Sequence, residues 1–350
     1  MKMVKQSLFI AAAISAICLM FGCGPSKPVL NVYNWSDYID MDMVKAFEKE
    51  NNCTVRVDTF DSNELMYSKI KSGADGYDIV VPTSYMAKIM YAEKLIDKLD
   101  LGKLGNAKAN INKKFLEKLA FDKNMEYCVP YLVSYTCVAY NKDKVGKIEN
   151  TWDVFSKTEY KSRMTMLDDF RESIGAALKF LGYSMNTTDD AALAKAKEQL
   201  LKWKKNLAKF DNEVYKNGLS SGEFYIVQGY SGDLFQIFED RKDLDFMIPK
   251  EGTSISSDNL AILSASKNKD LAYKFIDFLC RKDVAAKNME VTYYHSPVDG
   301  ALELVDKSLQ NHPGLKLSDE LYNAEIILDL GDNNNKLIKL WDEVKLEKVN

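Results

Sequence analysis

The sequence reads as an α/β protein in two lobes that the chain enters more than once. Three observations carry that reading. From Leu30 onward, short apolar runs alternate with longer amphipathic stretches, the rhythm of a mainly parallel sheet flanked by helices. Two such α/β units follow one another with no Gly- or Ser-rich linker between them. The 350 residues are 46% hydrophobic, enough for about two domains with real cores.

The first segment is a targeting signal. Lys2 and Lys5 form a positive start, and Leu8 to Phe21 is an uncharged apolar run. That run is short of the ~20 residues a membrane-spanning helix needs. Gly22 before Cys23 is similar to the lipobox of bacterial lipoproteins, cleaved before the Cys and acylated on it. Residues 1–22 are therefore expected to be removed and Cys23 lipidated. An ordinary secretory leader with Cys23 as a bystander is the alternative.

The elements follow in order. A strand over 30–35 leads into a helix over 41–51, with Met43, Val44 and Phe47 on one face. "CTVRVDTF" alternates as a strand. "NELMYSKIKSG" is a helix with Asn63 as its cap and Gly73 as its stop. "YDIVVP" is near-continuously apolar, as in a sheet covered on both faces. "SYMAKIMYAEKLI" is the next helix, capped by Ser84. "EYCVPYLVS" and "TCVAYNKD" read as two adjacent strands. A second unit then offers helix 151–158, strand "RMTMLDD", helices 172–181 and 189–208, strand "EFYIVQG", helix 231–240 and strand "LDFMIP". "DNLAIL" is a strand and "NKDLAYKFIDFLCRKDVAAKNME" two helices. The end, "NNNKLIKLWDEVKL", is an amphipathic helix with Leu337, Leu340, Trp341 and Val344 on its stripe.

Composition excludes several classes. The net charge of −4 is mildly acidic, which argues against a nucleic-acid surface and suits a cationic ligand. Two histidines, His295 and His312, are too few for a zinc site or a His-based triad. No nucleophile elbow, phosphate loop or metal motif occurs, so no enzyme, metal or cofactor is expected. Cys53, Cys128, Cys137 and Cys280 lie among apolar neighbours and read as buried thiols; Cys128 with Cys137 is the one pair worth testing as a disulfide. Trp152, Trp203 and Trp341 lie on helical stripes and read as core or lobe-interface residues, and Tyr33 as core. Asp168 beside Asp169 is not a catalytic dyad, because neighbours on a strand point to opposite faces.

A family resemblance rests on several stretches in order: "YNWSDY", "DSNELMYSKIKSG", "YDIVVPTSY", "DDFRE", "LGYSMNTTD", "IPKEG", "SDNLAI" and "FIDFLCRKDVA". From Leu30 to near its end the chain resembles the spermidine/putrescine-binding proteins that serve bacterial ABC importers. The resemblance implies a type II periplasmic-binding-protein-like clamshell. Each lobe is a mixed, mainly parallel sheet with flanking helices, and crossing strands join the lobes. The implied division is 28–135 with 255–303 for one lobe and 136–254 with 304–350 for the other. It implies a monomeric, lipid-anchored receptor outside the cytoplasm, with a polyamine ligand and a permease with its cytoplasmic ATPase as partners.

The chemistry agrees. Ammonium groups cannot be buried unpaired, and the methylene stem seeks apolar contact, so a polyamine site needs carboxylates at its ends and aromatics between. The resemblance implies an aromatic box of Trp35, Tyr38, Tyr85, Tyr230 and Tyr294. It implies carboxylates at Asp169, Glu172 and Asp258, with hydroxyls from Thr83 and Ser84. Arg171 would orient the acids beside it. Tyr230 stands where relatives usually carry Trp, and Ser256 where they carry a large aromatic. Ser36, Asp37 and Asp233 are similar to the putrescine-preferring branch. Asp37 reads equally as a solvated turn residue, and Asp233 as a helix cap. Preference between putrescine and spermidine stays open. So do another ligand of the same fold class (amino acid, thiamine or sugar) and a polyamine-sensing role.

Overall fold

A computed structural model describes residues 27–119 and 121–349. The leader and Cys23 lie outside the described residues.

Ten strands are present among them: β1 (Val29–Trp35), β2 (Thr54–Phe60), β3 (Ile79–Val80), β4 (Val129–Asn141), β5 (Met164–Met166), β6 (Leu207–Phe210), β7 (Ile226–Tyr230), β8 (Leu244–Met247), β9 (Ser254–Ile262) and β10 (Glu325–Ile326). The α-helices of seven residues or more are α1 (Met41–Asn51), α2 (Asn63–Lys71), α3 (Ser84–Ala92), α4 (Phe170–Phe180), α5 (Asp190–Lys204), α6 (Tyr215–Ser221), α7 (Ser231–Phe238), α8 (Lys269–Leu279), α9 (Lys282–Thr292) and α10 (Asn334–Leu346).

The strands run β2-β1-β3-β9-β4-β7-β5-β6, with β10 added to β9 and β8 to β4. At one end β1 is parallel to β2 and β3; at the other β5 is parallel to β6 and β7. Antiparallel β9 and β4 connect these halves. Each half has its own core. Leu30, Val32, Ile79, Leu260, Ile262 and Phe275 pack together in the first. Trp152, Met164, Ile174, Trp203, Ile226 and Trp341 pack together in the second. Val305 and Leu315 belong to the first core, beyond the expected boundary at 303.

The sequence reading needs correcting at several points. The run from 126 to 143 is not two strands. Residues 129–141 form one strand, buried along its whole length. Its first part pairs with β9 and its second with β7 and β8. At its middle the strand changes partner from β9 to β7, and the three hydroxyls part: Ser134 lies 3.2 Å from Ser256, Tyr135 donates to the Pro313 carbonyl and Thr136 to Glu172. Cys128 and Cys137 are free thiols. At about 3.3 Å per residue along one strand they are roughly 30 Å apart, far beyond disulfide reach. Residues 151–158 form short 3₁₀ turns, Trp152–Ser156 and Thr158–Tyr160, instead of an α-helix. The helix expected over 189–208 stops at Lys204. Asn206 then turns the chain, its side chain donating to the Phe155 carbonyl at 3.1 Å, and β6 begins. The helix α6 escaped the sequence reading.

Two caps were misplaced by one residue. Ser62 caps α2, accepting from Leu65 N at 3.2 Å. Asn63 instead accepts the amide of Thr83 at 3.2 Å, tying two loops together. Thr83 precedes α3 and makes no side-chain cap. Ser84 Oγ donates away, to the Ser257 carbonyl at 3.0 Å.

Candidate functional site

A narrow cavity of about 100 Å³ lies where the two halves meet, at the carboxyl ends of the parallel strands. Ligands of open α/β sheets sit at such ends. Thirteen of the fourteen residues expected from the sequence line it; Asp37 is the exception.

One wall comes from the end of β1 and the turn after it. Trp35 Nε1 donates to the Val81 carbonyl at 2.9 Å, and its ring packs 4.4 Å from Phe60. Tyr38 donates its hydroxyl to Asp258 Oδ2 at 2.6 Å and meets the Tyr294 ring edge-on at 4.8 Å. Tyr131 donates to the Tyr38 carbonyl at 3.0 Å and holds that turn. Between them Ser36 lines the cavity, while Asp37 turns outward with φ 53°. Asp37 is 68% exposed and pairs with Lys216 at 2.9 Å, so it faces a lysine across the cleft mouth and lies off the cavity wall. Thr83, Ser84 and Tyr85 line the cavity after β3; the Tyr85 hydroxyl donates to Glu64 at 2.9 Å.

The opposite wall is built on α4 and α7. Asp169 caps α4, its Oδ1 accepting from the amides of Arg171 at 2.8 Å and Glu172 at 3.1 Å. Its Oδ2 accepts from the Tyr230 hydroxyl at 3.0 Å. Glu172 is buried against the crossing strands, accepting from Ser254 at 2.7 Å and Thr136 at 3.1 Å. Asp233 is no cap. Its two oxygens accept from Tyr294 at 2.9 Å and Tyr215 at 2.8 Å. Ser256 lies 3.2 Å from Ser134, Oγ to Oγ. Arg171 does not pair with the acids. Its guanidinium donates to the Leu328 carbonyl at 2.5 Å and to Asn186 Oδ1 at 2.8 Å.

Asp258 stands apart. It is 5% exposed, and its Oδ1 meets no donor among the described residues. Thr83 Oγ1, beside it across an isolated bridge, is likewise without a partner. A buried acceptor left unmade costs about 1–3 kcal/mol, more for a charge. No lysine or arginine forms an ion pair with Asp258, Asp233, Asp169 or Glu172 among the described residues.

Burial raises Asp258 to about 7, with the Tyr38 hydroxyl opposing and the charge of Asp233 adding. Burial, then the charge of Asp169, raises Glu172 to about 8. Burial also raises Asp169 and Asp233. Burial pushes the phenols of Tyr38, Tyr230 and Tyr294 up, with nearby carboxylates adding, so they stay protonated as donors. The acids thus form two groups, Asp258 with Asp233 and Asp169 with Glu172, set in aromatic walls. Such a site favours a slender molecule bearing a positive charge at each end.

Phe60, Asp61, Asn63, Ser134, Asn212 and Ile327 also line the cavity and were missed from the sequence. Phe60 and Ser134 sit in stretches read as strands, Asn63 was read as a helix cap, and Asp61 lies in a family landmark; Asn212 and Ile327 fall in no stretch singled out.

Comparison with known proteins agrees with this architecture. The profile of the family described as bacterial extracellular solute-binding protein matches residues 42–316. The chain is 35% identical over 317 residues to the spermidine/putrescine-binding periplasmic protein of Salmonella typhimurium, covering 90% of each. It is 32% identical to the putrescine/cadaverine-binding protein of Pseudomonas aeruginosa, covering 98% of this chain and 100% of that one. The crystal structure of the TpPotD lipoprotein of Treponema pallidum superposes with a TM-score of 0.84 at 32% identity, over 91% of this chain and 100% of that one.

Proposed function

We infer the function from one premise: the chain belongs to the bacterial extracellular solute-binding proteins. It is a polyamine receptor outside the cytoplasm that captures putrescine or spermidine and delivers it to an ABC import permease. The observation that carries this is Asp258, a buried carboxylate with one oxygen unmatched, facing an aromatic cavity with a second acid group across it. An ammonium supplies the missing donors and charge at one end, and a second ammonium serves Asp169 and Glu172 at the other. Trp35, Tyr38, Tyr85, Tyr230 and Tyr294 flank the methylene stem, each well-placed cation–π contact contributing roughly 0.5–2 kcal/mol.

The receptor acts by binding alone, with no catalytic step. The first lobe is 28–135 with 255–303, extended to the segment around Leu315. The second is 136–254 with the C-terminal helix. The lobes close over the ligand as a monomer, since only then do Trp35, Tyr38 and Asp258 reach the same molecule as Asp169 and Tyr230. Lipid on Cys23 tethers it to the membrane that holds the permease; the relative from Treponema being a lipoprotein supports this.

The test is calorimetric titration of the mature chain, unfolded and refolded to strip carried-over ligand. Putrescine, spermidine, cadaverine, arginine and thiamine are compared. One-to-one binding of a polyamine at about micromolar or tighter (roughly −8 kcal/mol) is expected, lost in Asp258→Asn. Binding of arginine or thiamine alone would leave the fold and overturn the ligand.

A further inference from the structure

We propose that Asn212 is a ligand-binding residue, its side-chain carbonyl accepting from the polyamine ammonium held at the Asp169 end. The proposal rests on the polyamine reading and deepens it.

Asn212 is held in place from two sides. Asp211 before it takes the amides of Glu213 at 2.8 Å, Val214 at 2.6 Å and Tyr215 at 3.1 Å, which pins the turn into α6. Asn212 Nδ2 donates to the Asp168 carbonyl at 2.9 Å. That bond settles which end of the amide is nitrogen, since only the NH₂ group can donate to a carbonyl. Oδ1 is then left as an acceptor. It is buried and meets no donor among the described residues, and the residue lines the cavity together with Asp169.

The count of acceptors explains what such an oxygen does. A primary ammonium carries three N–H donors. At Asp169 much of the accepting capacity is already engaged, Oδ1 by two backbone amides and Oδ2 by the Tyr230 hydroxyl. Glu172 beside it is engaged by Ser254 and Thr136. The ammonium needs another oxygen at that end, and Asn212 Oδ1 is buried and free.

A wider cavity of about 470 Å³ opens beyond the first, and Asp61, Asp169 and Asn212 are the residues that line both. Asn212 therefore stands at the boundary of the two spaces.

The test is titration of Asn212→Ala, Asn212→Ser and Asn212→Asp with putrescine and spermidine, beside thermal unfolding of each unliganded variant. Loss of a hydrogen bond to a charged donor predicts binding weakened about 10- to 100-fold in Asn212→Ala. Asn212→Asp keeps an accepting oxygen but loses the amide that donates to the Asp168 carbonyl, so it should bind more weakly than wild type and more tightly than Asn212→Ala. Should Asn212→Ala not fold, Asn212→Ser against Asn212→Asp carries the comparison. A cycle with Asp169→Asn must show non-additive losses in affinity, because both side chains would hold one ammonium. Wild-type binding that survives Asn212→Ala and Asn212→Ser within about twofold overturns this inference and leaves the polyamine reading standing. A wild-type chain that binds neither amine overturns both.

Discussion

Asp258 holds its proton into the neutral range because burial disfavours its charge and, among the described residues, only Tyr38 donates to it. An ammonium ligand needs the ionised form, so binding expels the proton. Glu172, raised to about 8, must ionise for the second ammonium too, so affinity for putrescine should fall as pH drops below about 8 and again below about 7, by up to about tenfold per unit for each group. Calorimetry in buffers of different ionisation enthalpy would show the released proton; a flat profile between pH 5 and 8 would refute it. Stability of the unliganded chain runs the other way. Asp258 and Glu172 are raised to about 7 and about 8, against ordinary values near 4 in the unfolded chain. From pH ~4 to ~8 the folded state binds more protons, so stability falls as pH rises through that window. Thermal unfolding of the stripped protein should therefore give a higher midpoint at pH 5 than at pH 8 from these groups, and saturating ligand should narrow the gap. The identity of Asp258 was legible in the sequence through family resemblance. Its orphaned oxygen was not, because that depends on which donors the fold leaves out of reach.

At the scale of the element, Asp169 has two duties that substitutions can separate. As the cap of α4 it satisfies two orphan amides. Asp169→Asn keeps an accepting oxygen and should hold stability within about 0.5 kcal/mol while binding drops about 100-fold. Asp169→Ala should lose binding and also about 1 kcal/mol of stability, read by urea unfolding. Equal stability in the two would show that the cap is idle. Gly232 in the first turn of α7 makes a second case. Alanine in a helix ordinarily stabilises by about 0.5–1 kcal/mol over glycine. Here its Cβ would lie 2.3 Å from the Tyr294 ring. Overpacking of that kind costs about 1–3 kcal/mol, so Gly232→Ala should lower the unfolding midpoint and weaken putrescine binding by pushing Tyr294 off Asp233. A raised midpoint would mean the ring yields freely. Neither the close approach at Gly232 nor the one-residue error at the α2 and α3 starts was visible in sequence, since Ser, Thr and Asn all suit a cap locally and only distant loops choose among them.

Across the whole molecule, contacts bridge the cleft mouth. Lys216 on α6 reaches Asp37 at 2.9 Å and Gln236 at 3.0 Å. Gln236 in turn donates to the Thr292 carbonyl at 3.1 Å. These join the turn after β1 and the end of α9 to the other lobe. Asp37 is mostly exposed, so the ion pair is worth at most about 1 kcal/mol. Lys216→Met should speed putrescine dissociation by up to about fivefold, leave association nearly unchanged, and abolish part of the salt dependence of release, as stopped-flow would show. Slower release would assign the pair to holding the lobes apart.

The sequence by itself determined the fold class, the family and most of the side chains that line the cavity, because strand and helix periods are local and the aromatic and acidic landmarks lie in fixed order at strand ends. It did not determine that 129–141 is one strand crossing between lobes, that Asp37 faces Lys216 instead of the cavity, or that Asn212 completes the wall. Those are properties of what lies opposite a residue in space. Asp37 and Lys216 are 179 positions apart, and Tyr38 and Asp258 are 220 apart. Only closing the chain on itself decides which buried oxygens gain a donor and which are left for a ligand.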